Sequence, residues 1–414
     1  MTQEETVARS HYTLLERLVN ALAGLAASAG LSFTQIDRAS ILQISERKTG
    51  LQDWGNAQHL EFLDRLVELV QRDDFTHLSR VVTRQAVIKA ASNRLRLVEH
   101  LKQNEEVLRG TLGRPIFVLG FPRTGTTLLQ NLLCLSPERR ALPFWELTNP
   151  IPEHEDRVLD RKKRREAAQN LLKLAYRFAP EMRKIHEITA DTAEECWYLF
   201  FHSFAVLNYD LQTGGPEFGD WLMKSDMNWA YREYRSQLAI LNHEWPAENL
   251  VLKCPEHLWF LDALMEVFPD AALVWTHRDP VASIASYCSL ISLSYRTYFG
   301  EIRHKEVGKH IQHRFLQGVT RAMEFRDAIN DESRFFDVRF HELVKDPAAM
   351  VTRITEHFNL RPVAQEAMAN WLNNGRKDKR GAHVYSAERF GLQRTPIEKH
   401  FKPYIDRFQV EMES

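Results

Sequence analysis

The sequence predicts an α/β fold with a parallel sheet, and three observations carry that prediction. Short apolar runs bounded by turn residues recur from about residue 110 onward. Between them lie segments with apolar residues at three- and four-residue spacing, the period of a half-buried helix. The first apolar run, Pro115-Ile-Phe-Val-Leu-Gly120, ends in a glycine-bearing turn that leads into a second helical pattern, Thr127-Leu-Leu-Gln-Asn-Leu-Leu133. Alternation of strand, loop and helix favours strands laid parallel, because each crossover needs a helix to return the chain to the same edge.

From Glu4 to about Leu108 the pattern is helical, clearest in Leu60 to Val70 and in Val87 to Leu108. We set an N-terminal helical region at 1–110 and a sheet-bearing domain at 111–414. After Pro115–Gly120, further strands are expected at Asn249-Leu-Val-Leu-Lys253, Ala271-Ala-Leu-Val-Trp-Thr276 and Phe335-Phe-Asp-Val-Arg-Phe340. Leu258 to Phe268 and Val281 to Leu293 read as helices on either side of the third of these runs. Residues 157–245 are mostly helical, rich in Trp, Tyr and Phe, and interrupted at Thr213-Gly-Gly-Pro-Glu. They are expected to form a helical insertion or cap beside the sheet. The basic run Arg161-Lys-Lys-Arg-Arg165 lies among Asp156, Asp160 and Glu166 and reads as a solvated helix face.

A chain of 414 residues with 44% hydrophobic content can bury a large core. Its 54 Lys and Arg against 55 Asp and Glu leave a net charge of -1. No global basic field therefore points to nucleic acid, and any anion site must be local. The four cysteines, Cys134, Cys196, Cys254 and Cys288, form no Cys-x-x-Cys pair, so neither a disulfide framework nor a metal is expected. The acidic start is unlike a signal peptide, and the longest apolar candidate, Leu18 to Leu31, is Ala- and Gly-rich and carries Asn20. No membrane span and a cytoplasmic location are expected.

A glycine-bearing turn between a strand and a helix N-terminus offers backbone N–H groups and the positive end of the helix dipole to an anion. Gly120 to Thr127 has this design. Gly120 and Gly125 can take positive φ, Thr124, Thr126 and Thr127 add hydroxyls, and Arg123 adds a charge that can fork onto phosphate oxygens. The loop is close to a Walker A motif, but Thr126 occupies the position of the Walker lysine. That speaks against ATP or GTP hydrolysis.

With its cation moved forward to Arg123, the segment Pro-Arg-Thr-Gly-Thr-Thr resembles the 5′-phosphosulfate loop of the sulfotransferase family. A second stretch, Val274-Trp-Thr-His-Arg278-Asp-Pro-Val-Ala-Ser-Ile-Ala-Ser286, resembles that family's 3′-phosphate motif. Val251-Leu-Lys253-Cys-Pro-Glu-His257-Leu and the tail Arg380-Gly-Ala-His-Val-Tyr385-Ser-Ala-Glu-Arg-Phe-Gly391 are similar to blocks of bacterial-type and tyrosylprotein-type members. The resemblance spans roughly residues 114 to 395. It implies a P-loop-like three-layer fold and use of 3′-phosphoadenosine-5′-phosphosulfate (PAPS) as donor, leaving the 3′,5′-bisphosphate PAP. It assigns Arg123, Thr124, Gly125, Thr126, Thr127, Arg278, Ser286 and Arg380 to the donor. Two departures stand out. Leu128 replaces the adenine-stacking Trp of steroid- and phenol-type enzymes, and the tail lacks their Arg-Lys-Gly motif.

Sulfuryl transfer to an alcohol needs cations at the leaving phosphate and a base on the acceptor. Arg123 and Lys253 are expected to supply the charge. Two residues compete for the base. His257 follows Lys253 by four residues, one turn if that segment is helical, and Glu146 lies about two dozen residues past Arg123, where tyrosylprotein-type enzymes place their catalytic Glu. The aromatic insertion favours a lipid-like, polyketide or aromatic small-molecule hydroxyl as acceptor, with a homo-oligomer compatible with the sequence. The rival readings are a P-loop nucleotide kinase and a non-catalytic nucleotide-binding module.

Overall fold

A computed structural model describes residues 14–31, 36–178, 183, 187–375 and 386–413. Five strands, β1 (Ile116–Gly120), β2 (Arg139–Arg140), β3 (Asn249–Lys253), β4 (Ala272–His277) and β5 (Phe335–Arg339), form one sheet in the order β2-β3-β1-β4-β5. Every pairing is parallel. The four strands expected from the apolar runs are present within a residue of their predicted bounds. The two-residue β2 is an addition, too short to leave a periodic signal.

The sheet is covered on both faces, which is why its central strands read as continuous apolar runs. Ile116, Val118, Val251, Ala272, Val274 and Val338 point to one side, where they pack on Leu129, Leu132 and Leu133 of the helix Thr126–Leu133 and on Val351 and Ile354 of the helix Pro347–His357. Phe117, Leu119, Leu250, Leu252, Leu273 and Trp275 point to the other. The strand period of two thus sorts alternate side chains into two cores. Three layers result, a P-loop-like architecture.

Among the described residues of the N-terminal region, helices α1 (Leu14–Ser28), α2 (Arg38–Thr49), α3 (Gln58–Val70) and α4 (His77–Gln103) precede a short helix Glu106–Arg109. Ile41, Phe62, Leu66 and Val87 from these helices belong to the same buried cluster as Leu119 and Trp275 of the sheet. The region therefore shares the main core of the fold. Residues 157–245 fold as helices Arg157–Phe178, Leu207–Thr213, Pro216–Leu222 and Asn228–Glu244, with a 3-10 segment Cys196–Ser203. Gly214, at φ +59, stops the second of these helices where the sequence showed its break. Among the described residues no helix is long and apolar enough to cross a membrane.

Candidate active site

In a parallel sheet the carboxyl ends of the strands share one edge, and ligands collect there. Here that edge carries the turn after β1, Lys253 at the end of β3 and Arg278 just past β4. The turn is held by the backbone. Gly120 has φ +129, and a Cβ on it would come within 2.4 Å of the Thr276 hydroxyl on β4. Gly125, at φ +89, caps the helix Thr126–Leu133. Arg123 is itself left-handed at φ +70, an uncommon state for a residue with a Cβ. The buried Thr124 hydroxyl bonds the Phe121 carbonyl at 2.6 Å and lies 2.5 Å from the Thr276 hydroxyl. It therefore fixes the turn instead of facing outward.

Arg278 is placed by the helix that follows it. Asp279 accepts from the Val281 N–H, Pro280 takes the first helical position, and the helix runs from Pro280 to Phe299. The Arg278 Nη1 donates to the Arg123 carbonyl at 2.6 Å, and Arg123 Nε donates to Ser286 Oγ at 3.3 Å. Two segments more than a hundred residues apart in sequence thus meet as one cationic corner. Arg278 also forks onto Glu413, at 2.5 and 2.8 Å, and lies 4.2 Å from the centre of the Phe340 ring.

A cavity of about 480 Å³ opens beside this corner. Arg123, Gly125, Thr126, Thr127, Lys253 and Arg278 line one end. Trp197, Tyr198, Leu211, Leu290, Ile291 and Leu293 supply apolar walls, and polar and acidic side chains complete the lining. Lys253 is 2% exposed and sits between the two parts. Its Nζ donates to Thr127 Oγ1 at 3.3 Å and lies 3.5 Å from Glu195 Oε1. Residues 115–364 match the family model described as the sulfotransferase family.

The chain belongs to the sulfotransferase family. Among curated proteins it is similar to omega-hydroxy-beta-dihydromenaquinone-9 sulfotransferase Stf3 of Mycobacterium tuberculosis and of Mycobacterium bovis. Each is 23% identical over 321 residues, which span 71% of this chain and 74% of the relative. Among solved structures it resembles sulfotransferase STF1 of Mycobacterium tuberculosis H37Rv, with TM-score 0.78, 28% identity and coverage of 89% of this chain and 100% of that one. Sulfotransferase STF9 of Mycobacterium avium gives TM-score 0.81 at 28% identity, over 92% of this chain and 98% of that one.

Two residues expected in this sulfotransferase's site lie away from the cavity. His257 is fully buried, its Nε2 3.3 Å from Cys196 Sγ and its Nδ1 2.9 Å from the Tyr231 hydroxyl, with the Phe117 ring against it. The expectation assumed that Lys253 and His257 share one helical turn. Lys253 instead ends a strand, and the 3-10 turn Pro255–Trp259 rotates His257 into the core. Glu146 is buried on the helix Phe144–Thr148, where its Oε2 accepts from Arg140 Nη1 at 2.7 Å. Burial raises its pKa, while Arg140 opposes the rise. Thr124 and Ser286 stand behind the lining, and Arg380 falls outside the described residues.

Three carboxyl groups that sequence reading passed over line the cavity: Glu194, Glu195 and Glu256. Glu256 is buried and accepts from the Leu207 N–H at 3.0 Å. Burial pushes its pKa up to about 8, so it holds its proton at neutral pH. Glu195, 28% exposed at its side chain, instead faces the Lys253 ammonium. An acidic pair placed just before the aromatic run Cys196 to Phe201 was the only available signal.

Proposed function

We propose that this sulfotransferase carries a sulfuryl group from PAPS to the hydroxyl of an apolar, lipid-like small molecule, with Glu195 as general base. The observation that carries the reading is the position of Lys253, which touches the anion-loop hydroxyl Thr127 on one side and Glu195 on the other. A cation at that junction suits the point where donor and acceptor meet. The donor, when bound, supplies the activated sulfuryl group.

The backbone N–H groups of Arg123 to Thr127, the helix start at Thr126 and the Arg123 guanidinium suit a 5′-phosphosulfate. Arg278 and Ser286 suit the 3′-phosphate that separates this donor from ATP. Lys253 would neutralise charge growing on the leaving oxygen. Glu195 would take the proton of an acceptor hydroxyl entering from the aromatic side. Glu256 is unsuited to that role because its proton is retained up to about pH 8. The apolar walls favour a hydroxylated lipid, in keeping with the menaquinone-type acceptor that the name of the Stf3 relatives carries. The domain limits 1–110 and 111–414, with the insertion 157–245 as the acceptor cap, are proposed on the same grounds.

The test pairs binding with turnover. PAP should raise the melting temperature of the protein and ATP with magnesium should not, since only a ligand of the folded state stabilises it by linkage. PAPS should then be converted to PAP in the presence of hydroxylated long-chain lipids, and more slowly with charged sugars. Stabilisation by ATP-magnesium and none by PAP would overturn the donor assignment. Equal rates with sugars and lipids would overturn the acceptor class.

A further inference from the structure

Lys253 and Glu195 share a feature of sequence: each is followed by a cysteine. Cys196 opens the 3-10 segment Cys196–Ser203, and Cys254 stands between β3 and the turn Pro255–Trp259. Successive side chains leave an extended backbone on opposite sides, so Glu195 and Lys253 line the cavity while both cysteines turn into the core. His257, carried round by the same turn, joins them. One ligand atom each of Cys196, Cys254 and His257 lies within 4.8 Å of the other two, and all three residues are buried. Cys196 Sγ also lies 3.5 Å from the Lys253 carbonyl, which its thiol can reach as a donor.

Two thiols and an imidazole in one closed group are the donor set of a zinc site. A tetrahedral ion with sulfur at about 2.3 Å and ring nitrogen at about 2.0–2.1 Å holds those two atoms roughly 3.6 Å apart. Cys196 Sγ and His257 Nε2 are 3.3 Å apart. The other ring nitrogen is held as a zinc-bound histidine requires, with Nδ1 2.9 Å from the Tyr231 hydroxyl, which leaves Nε2 turned to the sulfur. Two thiolates would cancel the two charges of the ion, so the filled site is neutral despite its burial. Tyr234 points to the same place independently. Its buried hydroxyl has no nitrogen or oxygen partner among the described residues, and it faces the Cys196 thiol. A thiol is only a weak hydrogen-bonding group, whereas an ion between the sulfurs would take that oxygen as a ligand.

We propose that Cys196, Cys254 and His257 bind a structural zinc ion, with the Tyr234 hydroxyl as fourth ligand, directly behind the Lys253–Glu195 junction. The ion ties the segment that carries Glu195 to the end of β3 that carries Lys253, and so fixes their separation. Four protein ligands leave no open position for water, so the site is structural and not a second catalytic centre. It departs from the sequence expectation of no metal because the ligands come from separate elements, and only Cys254-Pro-Glu-His257 is contiguous. The inference does not depend on the identity of donor or acceptor.

The experiment uses the untagged full-length protein, produced with zinc sulfate in the medium and desalted. Elemental analysis should find about one zinc per chain. Protein produced with cobalt chloride instead should show thiolate-to-cobalt charge-transfer bands and the visible d–d bands of a tetrahedral ion. Cys254→Ala should lose the zinc and these bands, whereas Cys288→Ala, equally buried but outside the group, should keep both. Should Cys254→Ala fail to fold, the wild-type cobalt spectrum decides, because it reads sulfur ligation directly. A wild-type protein without zinc and without cobalt bands overturns the proposal, as does wild-type zinc content in a folded Cys254→Ala. So does a Cys196–Cys254 disulfide, read as the absence of two of the four thiols when the wild type is denatured with a chelator present.

Discussion

The two ends of the cavity are built by different means. At the anion-loop end, geometry comes from the main chain: left-handed Gly120, Arg123 and Gly125, a helix start at Thr126, and two neighbouring strands that bring Arg123 and Arg278 together. At the other end, shape comes from side chains on several helices, with Tyr198 from the 3-10 segment, Leu211 from the insertion and Leu290 from the helix after β4. Main-chain construction confines the choice of residue within a short stretch. Side-chain construction lets many combinations of apolar residues enclose the same volume. One end is thus suited to a fixed ligand and the other to a ligand that differs among relatives.

Substitutions at the junction test this division most severely. Glu195→Gln should lower kcat by about 10²–10⁴-fold, the usual worth of a general base, while leaving PAP affinity by calorimetry within about twofold of wild type. An unchanged kcat would reject Glu195 as the base and move the junction. Lys253→Ala should cost about 10²–10³-fold in kcat, the range for removing one group that stabilises charge in the transition state. A loss confined to KM would place Lys253 wholly in binding.

A smaller effect sharpens the anion-loop end alone. The Glu413 carboxylate occupies the fork of Arg278. Hydrogen bonds to charged groups are worth about 1.5–3 kcal/mol, so Glu413→Gln should tighten PAP binding about tenfold without altering the acceptor KM. Weaker PAP binding would show instead that Glu413 orients Arg278 for its ligand.

A further effect, on stability and not on turnover, is one of pH. The folded state holds the Glu256 proton up to about pH 8, above the ordinary 4.5, whereas the unfolded chain releases it near that ordinary value. Between these limits the folded state binds more protons, so its stability declines as pH rises and levels off above about 8. Glu256→Gln keeps an acceptor for the Leu207 N–H and removes the charge. Its melting temperature should exceed that of the wild type most at pH 8.5 and approach it at pH 5. Parallel curves would mean that Glu256 ionises freely in the folded protein.

The same division explains what the sequence disclosed. The strands at Ile116–Gly120 and Ala272–His277 were legible because burial on both faces leaves unbroken apolar runs, and the turn between Gly120 and Thr127 because its glycines and hydroxyls are contiguous. Glu195 was not legible, since nothing local ties it to Lys253 across more than fifty residues of intervening helices. His257 follows Lys253 by four residues, but that spacing brings two side chains together only inside an α-helix, and the chain there passes from strand to 3-10 turn. Glu146 sits at a suggestive distance along the chain, but only tertiary packing could reveal that Arg140 engages it.

The contact between Gly120 and Thr276 has a consequence for how this protein can vary. These residues are register partners on adjacent strands, and no side chain fits between them. The distance from the anion loop to Arg278 is therefore a lattice constant of the sheet, set by the roughly 4.8 Å spacing of hydrogen-bonded strands. Neighbouring side chains can be exchanged without stretching it. A lineage diverging under new acceptors would carry this gauge forward unaltered, while the chamber above it is refitted.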